Sequence, residues 1–350
     1  MDHDLNSKEA ASTIKRTHRH SQDLYPERYY GKNNNVLLCR HPSFEPDHMN
    51  SCRISRIDIT DGIILIFHDI HSDTLDYGEH IPEFSTDLIC IQHCKQGRFE
   101  ACYNDGEYLY LGPGHCTVNF PSCSPVTNSF PLGHYYGFYV AIQPQVALRS
   151  LTCLEQILGP LNIDLTTFSK QVSSTNKVAF YPLDDALAGL TESLYILYEN
   201  HKESALKLRV LELLQCLCGK QVMQPKEKHY FTVNQITTVK KIHQYLISHV
   251  DEQIPLQQIA SRFCISLTSL KIVFKEVYGQ PVAAYMREYR LQKAAELLLK
   301  TEMKIIDIAG SVGYDNASRF SQAFLRYFGA LPRDYRKSVC LSGRFPDRNE

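Results

Sequence analysis

Residues 305–337 read IIDIAGSVGYDNASRFSQAFLRYFGALPRDYRK, and residues 259–281 read IASRFCISLTSLKIVFKEVYGQP. From Ile308-Ala309 and Ile259-Ala260 onward the two runs share one pattern: a short turn, then a helix closing on an aromatic residue and Gly. A repeat of roughly 50 residues that occurs only twice does not make a solenoid, which needs three or more stacked units. Each copy reads as helix-turn-helix. In the first, residues 256–263 form a short helix with Ile259, Ala260 and Phe263 on one face. Cys264-Ile265 is the turn, and Ser266 is a good N-cap because its hydroxyl accepts a free first-turn N–H. The next helix buries Leu270, Val273, Phe274 and Val277, spaced i, i+3, i+4, i+7. Gly279 ends it and Pro281 opens the helix that follows. In the second copy 305–312 is the short helix, Gly313 sits in the turn, and Asp315 or Asn316 caps a helix whose stripe is Phe320, Ala323, Phe324 and Tyr327.

The chemistry lies off those stripes. The first second-helix leaves Thr268, Ser269, Lys271, Ile272 and Lys275 unburied; the other leaves Ser318, Arg319, Ser321, Gln322 and Arg326. Such side chains hydrogen-bond base edges and phosphates in a major groove. One polar helix face is ordinarily just a solvated face. Here the same geometry occurs twice, joined by a helix over 281–300 with apolar positions at Val282, Tyr285, Tyr289, Leu291, Ala294, Ala295 and Leu298. At 1.5 Å per residue that rod is roughly 30 Å long. It can hold two reading helices about one DNA turn, roughly 34 Å, apart. Double-stranded DNA is therefore the expected partner.

These residues resemble the AraC/XylS type of bacterial transcription regulator, whose C-terminal domain holds two helix-turn-helix units on a long helix. The second copy carries the I-A-x-x-x-G-[FY] step, the S-x-F-x-x-x-F core and the F-G-x-x-P-x-x-Y-R ending of that family. The first copy matches through Leu270 to Lys275 (L-x-x-x-F-K), Gly279 and the Y-x-R-x-x-R-L run from Tyr285 to Leu291. The likeness covers residues 233–338. Two positions depart from it: Ile272 stands where the family often has a groove-reading Arg, and Leu325 where a basic residue is usual. An exposed Ile can still meet a thymine methyl. The resemblance implies base reading by Thr268, Lys271 and Ile272 and by Ser318, Arg319 and Gln322, with Ser269, Lys275 and Arg326 beside them. It also implies a cytoplasmic homodimer, a small-molecule effector in the N-terminal half, a transcription activator among the roles open to it, and RNA polymerase as a compatible partner. From the residues themselves no cofactor and no metal are expected, since no closed Cys/His ligand set is present.

Charge agrees in direction. From Tyr230 onward there are 17 Lys and Arg against 11 Asp and Glu, a balance of +6; residues 1–229 hold 20 against 27, a balance of −7. A positive C-terminal half suits a polyanion. The 12 cysteines accompany no apolar signal core in the first 20 residues and no run long enough to span a membrane, so a reducing cytoplasm is expected.

The rest of the chain is expected as follows. Residues 1–35 are a polar tail, with a small basic cluster at 15–20. Residues 36–222 are an effector-binding and dimerisation domain, 223–232 a polar linker, 233–338 the DNA-binding domain, and 339–350 a second tail. The fold class is α+β: short antiparallel strands at 53–59, 63–67, 87–94, 98–103, 107–111, 115–120 and 134–142 make a barrel or sandwich, which the resemblance suggests is cupin-like. Helices follow at 145–158, 183–198 and 204–222. The apolar faces of the last two (Leu187, Leu190, Leu194, Leu197, Tyr198; Leu206, Val210, Leu213, Leu214, Leu217) suit either the barrel's own flank or a dimer interface.

Catalytic signatures are missing: there is no Gly-x-Ser-x-Gly elbow, no phosphate-binding Gly-Lys-Ser/Thr loop and no dinucleotide Gly fingerprint. Two rivals to the effector-controlled regulator stay open. One is a regulator without a small ligand, controlled by a partner or by abundance; an apolar pocket lined by Tyr135, Tyr136, Phe138 and Tyr139 would argue against it. The other is a metal or thiol redox sensor using Cys90, His93, Cys94 and Cys102, with His68, His71 and His80 nearby. Cys90-x3-Cys94 is at most half of a zinc site, and strand alternation puts His93 on the opposite face from the two thiols.

Overall fold

The computed structural model describes residues 36–40, 51–74, 88–119, 126–174, 178–221 and 231–342. The tail expected at 1–35, most of the linker expected at 223–232, His80, and residues 343–350 lie outside them. The chain divides into two compact units, residues 1–229 and 230–350.

The first unit holds strands β1 (Val36–Arg40), β2 (Ser51–Thr60), β3 (Ile63–Ile70), β4 (Ile89–Gly97), β5 (Phe99–Cys102), β6 (Tyr108–Leu111), β7 (His115–Asn119), β8 (Thr127–Ser129) and β9 (Tyr135–Ile142), then helices α1 (Pro144–Leu158) and α2 (Leu165–Ser173), strand β10 (Val178–Pro182), and helices α3 (Asp185–Glu199) and α4 (Glu203–Cys218). Seven strands form one sheet in the order β1-β2-β3-β9-β4-β7-β10, and β6-β5-β8 form a second.

Its central strands explain the layering. Strand β3 is a continuous aliphatic run because both of its faces are covered. Ile63, Leu65 and Phe67 pack toward the helices with Phe138, Leu151, Leu194 and Leu213. Ile64, Ile66 and Ile70 pack the other way, with Tyr135 and Tyr139 and with Leu111 and Phe130 from the smaller sheet region. The unit is thus three layers: helices, seven-stranded sheet, three-stranded sheet. The Asp61-Gly62 turn also seats α1. Gly62 has φ +81°, and a Cβ there would lie 2.5 Å from the Ala147 backbone nitrogen.

Of the barrel and the sandwich expected from the strand spacing, the described residues form two packed sheets, and the cupin-like barrel is the part that needs correction. Among the described residues no closed barrel forms; β1 and β10 are edges of one sheet, β6 and β8 of the other. A register shift between Cys94 and Gln96 in β4, followed by Gly97 at φ +85°, leads the chain out of the first sheet and into the second. The four aromatic residues of β9 also do not line one pocket. Alternation sends Tyr135 and Tyr139 between the sheets and Tyr136 and Phe138 toward the helices. The apolar faces of α3 and α4 are taken up by their own sheet: Leu187, Leu194, Leu206, Val210, Leu213, Leu214 and Leu217 are all buried in that core.

The second unit is all helical: α5 (Val233–Ser248), α6 (Leu256–Arg262), α7 (Leu267–Tyr278), α8 (Val282–Lys300), α9 (Ile305–Ser311), α10 (Ala317–Phe328) and α11 (Pro332–Ser342). A capping box starts α5. Thr232 Oγ1 accepts from the Gln235 N–H at 3.2 Å, and Gln235 Oε1 accepts from the Thr232 N–H at 2.9 Å.

Candidate nucleic-acid interface

The first helix-turn-helix is α6–α7. Ile259 and Ala260 are buried, and Ala260 leaves room for α7 to cross closely. The turn is sharp: Cys264 takes φ +51°, and the Ile265 N–H reaches back to the Ala260 carbonyl at 3.0 Å. Ser266 then caps α7, its Oγ accepting from the Ser269 N–H at 3.0 Å and donating to Ser269 Oγ at 2.9 Å. Burial of Leu270, Val273, Phe274, Val277 and Tyr278 fixes the rotation of α7. That rotation leaves Thr268, Lys271, Ile272 and Lys275 exposed and Ser269 half-buried.

The second is α9–α10. Ile308, Ala309 and Val312 are buried, with Phe320 and Phe324 opposite them. Of the two cap candidates, the fold uses Asn316, whose Oδ1 accepts from the N–H groups of Ser318 and Arg319 at 2.7 and 3.2 Å. Ser318, Arg319, Gln322, Leu325 and Arg326 are exposed; Ala323 and Tyr327 are only half-buried. Gln292 of α8 donates to the Tyr327 hydroxyl at 2.9 Å. Among the described residues, no ion pair within the chain engages Lys271, Lys275, Arg319 or Arg326, so all four charges are free to meet phosphate.

The two modules are held in one body. Helix α8 has 19 residues, roughly 28 Å of rod. From its middle, Arg290 donates to the Val250 carbonyl (3.0 Å) and the Glu252 carbonyl (2.6 Å) beyond α5. Gln253 in the same loop donates to the Gly313 carbonyl, in the turn of the second module, at 3.0 Å. Gly313 has φ +78°, and a Cβ there would lie 2.8 Å from the Val250 carbonyl oxygen. Glycine is therefore needed twice over, for the turn and for the contact. Arg336 of α11 donates to the Leu298 and Met303 carbonyls at 3.0 and 2.7 Å, fastening the end of α8 to the start of the second module. In the first module His243 and Tyr285 share a 2.7 Å hydrogen bond, and burial draws His243 down to about 4.

The Cys/His group of the first unit is a different matter. Cys94 is buried between the sheets, while His93 faces the helices and shares a 2.8 Å hydrogen bond with the Tyr195 hydroxyl. Burial pushes the Cys90 and Cys94 thiols up to about 12, the opposite of a reactive thiolate. Among the described residues no three His, Cys, Asp or Glu side chains gather as they would around a metal ion. No described helix is long and apolar enough to cross a membrane.

Residues 259–338 match a family model described as a helix-turn-helix domain. The chain is similar to the right origin-binding protein of Escherichia coli K12, with 32% identity over 106 residues, 30% of this chain and 37% of that protein. It is similar to the HTH-type transcriptional activator RhaR of Yersinia pseudotuberculosis, with 39% identity over 82 residues, 23% of this chain and 28% of that one. Among solved structures it resembles the C-terminal domain of AraT, a response regulator from Geobacillus stearothermophilus, at 33% identity, covering 32% of this chain and 93% of that one with a TM-score of 0.29. The chain carries an AraC-type helix-turn-helix domain at its C-terminal end. It spans little more than a third of the length of the first of these relatives, 37%.

Against the AraC/XylS pattern, the sequence had marked the reading faces but not the clamp that orients them. Arg290 and Arg336 stood in the sequence only as members of the Y-x-R-x-x-R-L and F-G-x-x-P-x-x-Y-R motifs, and Gln253 was not singled out, because spacing alone does not show the backbone carbonyls that all three reach. The available signal was Gly313 followed by Tyr314, a turn too tight to stand without a neighbour. Met286, buried on α8, was also missed as a core position.

Proposed function

We propose that this chain is a sequence-specific regulator of transcription that reads double-stranded DNA with α7 and α10. Thr268, Ser269, Lys271, Ile272 and Lys275 form one contact face; Ser318, Arg319, Gln322 and Arg326 form the other. The observation that carries this is the pair of matched, exposed helix faces within one clamped body. Lys271, Lys275, Arg319 and Arg326 supply the phosphate attraction, and Ile272, Gln322 and Arg319 the base discrimination. The N-terminal unit holds a small-molecule effector, which acts by favouring one state of the chain over another and so must bind the two with different affinity. A homodimer in this reading uses surface other than the apolar faces of α3 and α4, which are already covered.

The test is selection from random duplex DNA with the full chain, followed by titration of the winning site at increasing salt. Enrichment of one motif is expected, with affinity falling about a hundredfold between 50 and 200 mM salt if roughly four phosphates are neutralised. Binding without sequence preference, or a flat salt response, would overturn the reading.

A further inference from the structure

The layer between the two sheets of the N-terminal unit carries buried polar atoms without partners. Strand β7 sends Cys116 and Val118 to the helix side, so Thr117 and Asn119 face inward. Thr117 is 0% exposed and its Oγ1 has no hydrogen-bond partner; Asn119 Oδ1 has none either. Two strands across the sheet, in register through Gln92, stands Tyr139. It is 7% exposed and its hydroxyl has no partner. His68 packs against the Tyr139 ring, centroids 5.3 Å apart, with a buried, unpartnered Nε2. From the facing sheet, Asn128 pairs in register with Ala101, which packs on Val178 of the larger sheet. Its buried Oδ1 is likewise unpartnered.

Each such atom is destabilising when water is withdrawn and nothing replaces it. Five of the nine such side-chain atoms among the described residues belong to this one layer, and native interiors supply partners for nearly all of theirs, from protein, water or ligand. The chemistry of the set is neutral. Burial draws His68 down to about 4, so its ring is uncharged at neutral pH. The one inward cation among the described residues of the large sheet, Arg56, is engaged by Asp58 at 2.9 and 2.7 Å. Hydroxyls, amide oxygens and one imidazole therefore remain, flanked by apolar walls at Ile66, Phe130 and Tyr135.

We infer that this layer binds a small uncharged molecule bearing several hydroxyl or amide groups, held by Thr117, Asn119, Asn128, Tyr139 and His68. The inference rests on the effector reading above and gives it a place and a chemical class. Carboxylates are disfavoured, since the cations beside the layer are already engaged, Arg56 by Asp58 and Arg98 over the Tyr110 ring at 5.5 Å, and so offset less of a carboxylate's desolvation.

The test is saturation-transfer NMR on the full chain with three matched pairs: glucose and gluconate, nicotinamide and nicotinate, benzyl alcohol and benzoate. Transfer to at least one uncharged member is expected, with about tenfold weaker binding in Thr117→Val and in Tyr139→Phe. Both substitutions keep shape and remove one hydroxyl, so both chains should melt no lower than the parent in the absence of a probe. Transfer to none of the uncharged probes, preference for the carboxylates, retention of binding in both variants, or ordered water alone in the layer of a crystal grown with the best probe would overturn the assignment. DNA selection on the same preparation separates the two levels. A chain that selects its site but fails here has lost this ligand site only. A carboxylate that binds and alters DNA affinity keeps the effector reading and overturns the neutral class.

Discussion

Ile272 gives the sharpest test of how α7 meets DNA. It is 41% exposed in the middle of an otherwise polar face, with Lys271 beside it, Thr268 one turn back and Lys275 one turn on. An isolated apolar side chain in that position has one attractive counterpart in the major groove, the C5 methyl of thymine. Covering one methyl-sized group is worth about 0.8 kcal/mol, close to a fourfold change in affinity. The perturbation is made on the DNA: each thymine of the selected site is replaced in turn by deoxyuridine, which removes the methyl and leaves base pairing intact. Fluorescence anisotropy then gives affinities for the parent chain and for Ile272→Ala. One thymine should lose about fourfold with the parent and nothing with the variant. Ile272→Ala should leave the melting temperature unchanged, because the side chain supports no core. If no thymine methyl matters, or if the same methyl matters equally to both chains, Ile272 does not read thymine and the docking of α7 must be redrawn.

Other consequences follow from particular contacts. Arg319→Ala should cost about 1–3 kcal/mol of binding and relax preference at one base pair, read by repeating the selection; an unchanged motif would remove Arg319 from base reading. Gly313→Ala should destabilise the full chain by on the order of 2 kcal/mol, since φ +78° and the Val250 carbonyl at 2.8 Å both oppose a Cβ. Gly310→Ala, three residues earlier with open space around it, should be neutral or stabilising in the same thermal melt, and equal losses at both would refute the clamp. His68, His93 and His243 are each drawn down to about 4, chiefly by burial. Their unfolded forms take up protons first, near pH 6.5. Stability should be complete above that value and fall as the pH drops toward 4. By about pH 5 the loss is on the order of 1–2 kcal/mol per histidine, seen as a lower urea midpoint; an unchanged midpoint would mean that these rings are not held neutral.

The C-terminal domain was legible because local and tertiary signals agree there. Ser266 and Asn316 are caps, Gly279 and Gly329 take left-handed φ at the helix ends, and the apolar spacing gives the buried faces of α7 and α10. The N-terminal unit was legible only as short strands followed by helices. Its layering was hidden by β3, whose run of buried residues on both faces carries no alternation to tell inside from outside. Helix α2 and strand β10 went unseen because each is short and acquires its burial from elements distant in sequence: Phe168 packs on Tyr181, and β10 pairs with β7. Alternation did assign Cys94 and His93 to opposite faces, yet it could not say which face was the interior. That is why the polar layer was missed while its neighbours were singled out.

The distribution of satisfied polar groups now separates the two halves physically. In the C-terminal domain, the half-buried charged side chain of Arg290 and the loop side chain of Gln253 both end on backbone carbonyls, as rigid presentation of two reading helices requires. Between the sheets of the N-terminal unit, Thr117, Asn119, Asn128, Tyr139 and His68 keep unpartnered atoms. A molecule that supplies those hydrogen bonds stabilises the unit by RT ln(1 + [L]/Kd). Any alternative arrangement in which the same five groups reach water gains nothing from that molecule. The ligand's differential affinity, which any effector mechanism requires, is therefore carried by the unpaired atoms themselves. Thr117→Val and Tyr139→Phe should weaken the response of DNA affinity to the ligand along with the binding itself. A variant that binds less ligand yet shows the parent's full DNA response at saturation would separate the two, and place the switch elsewhere in the chain.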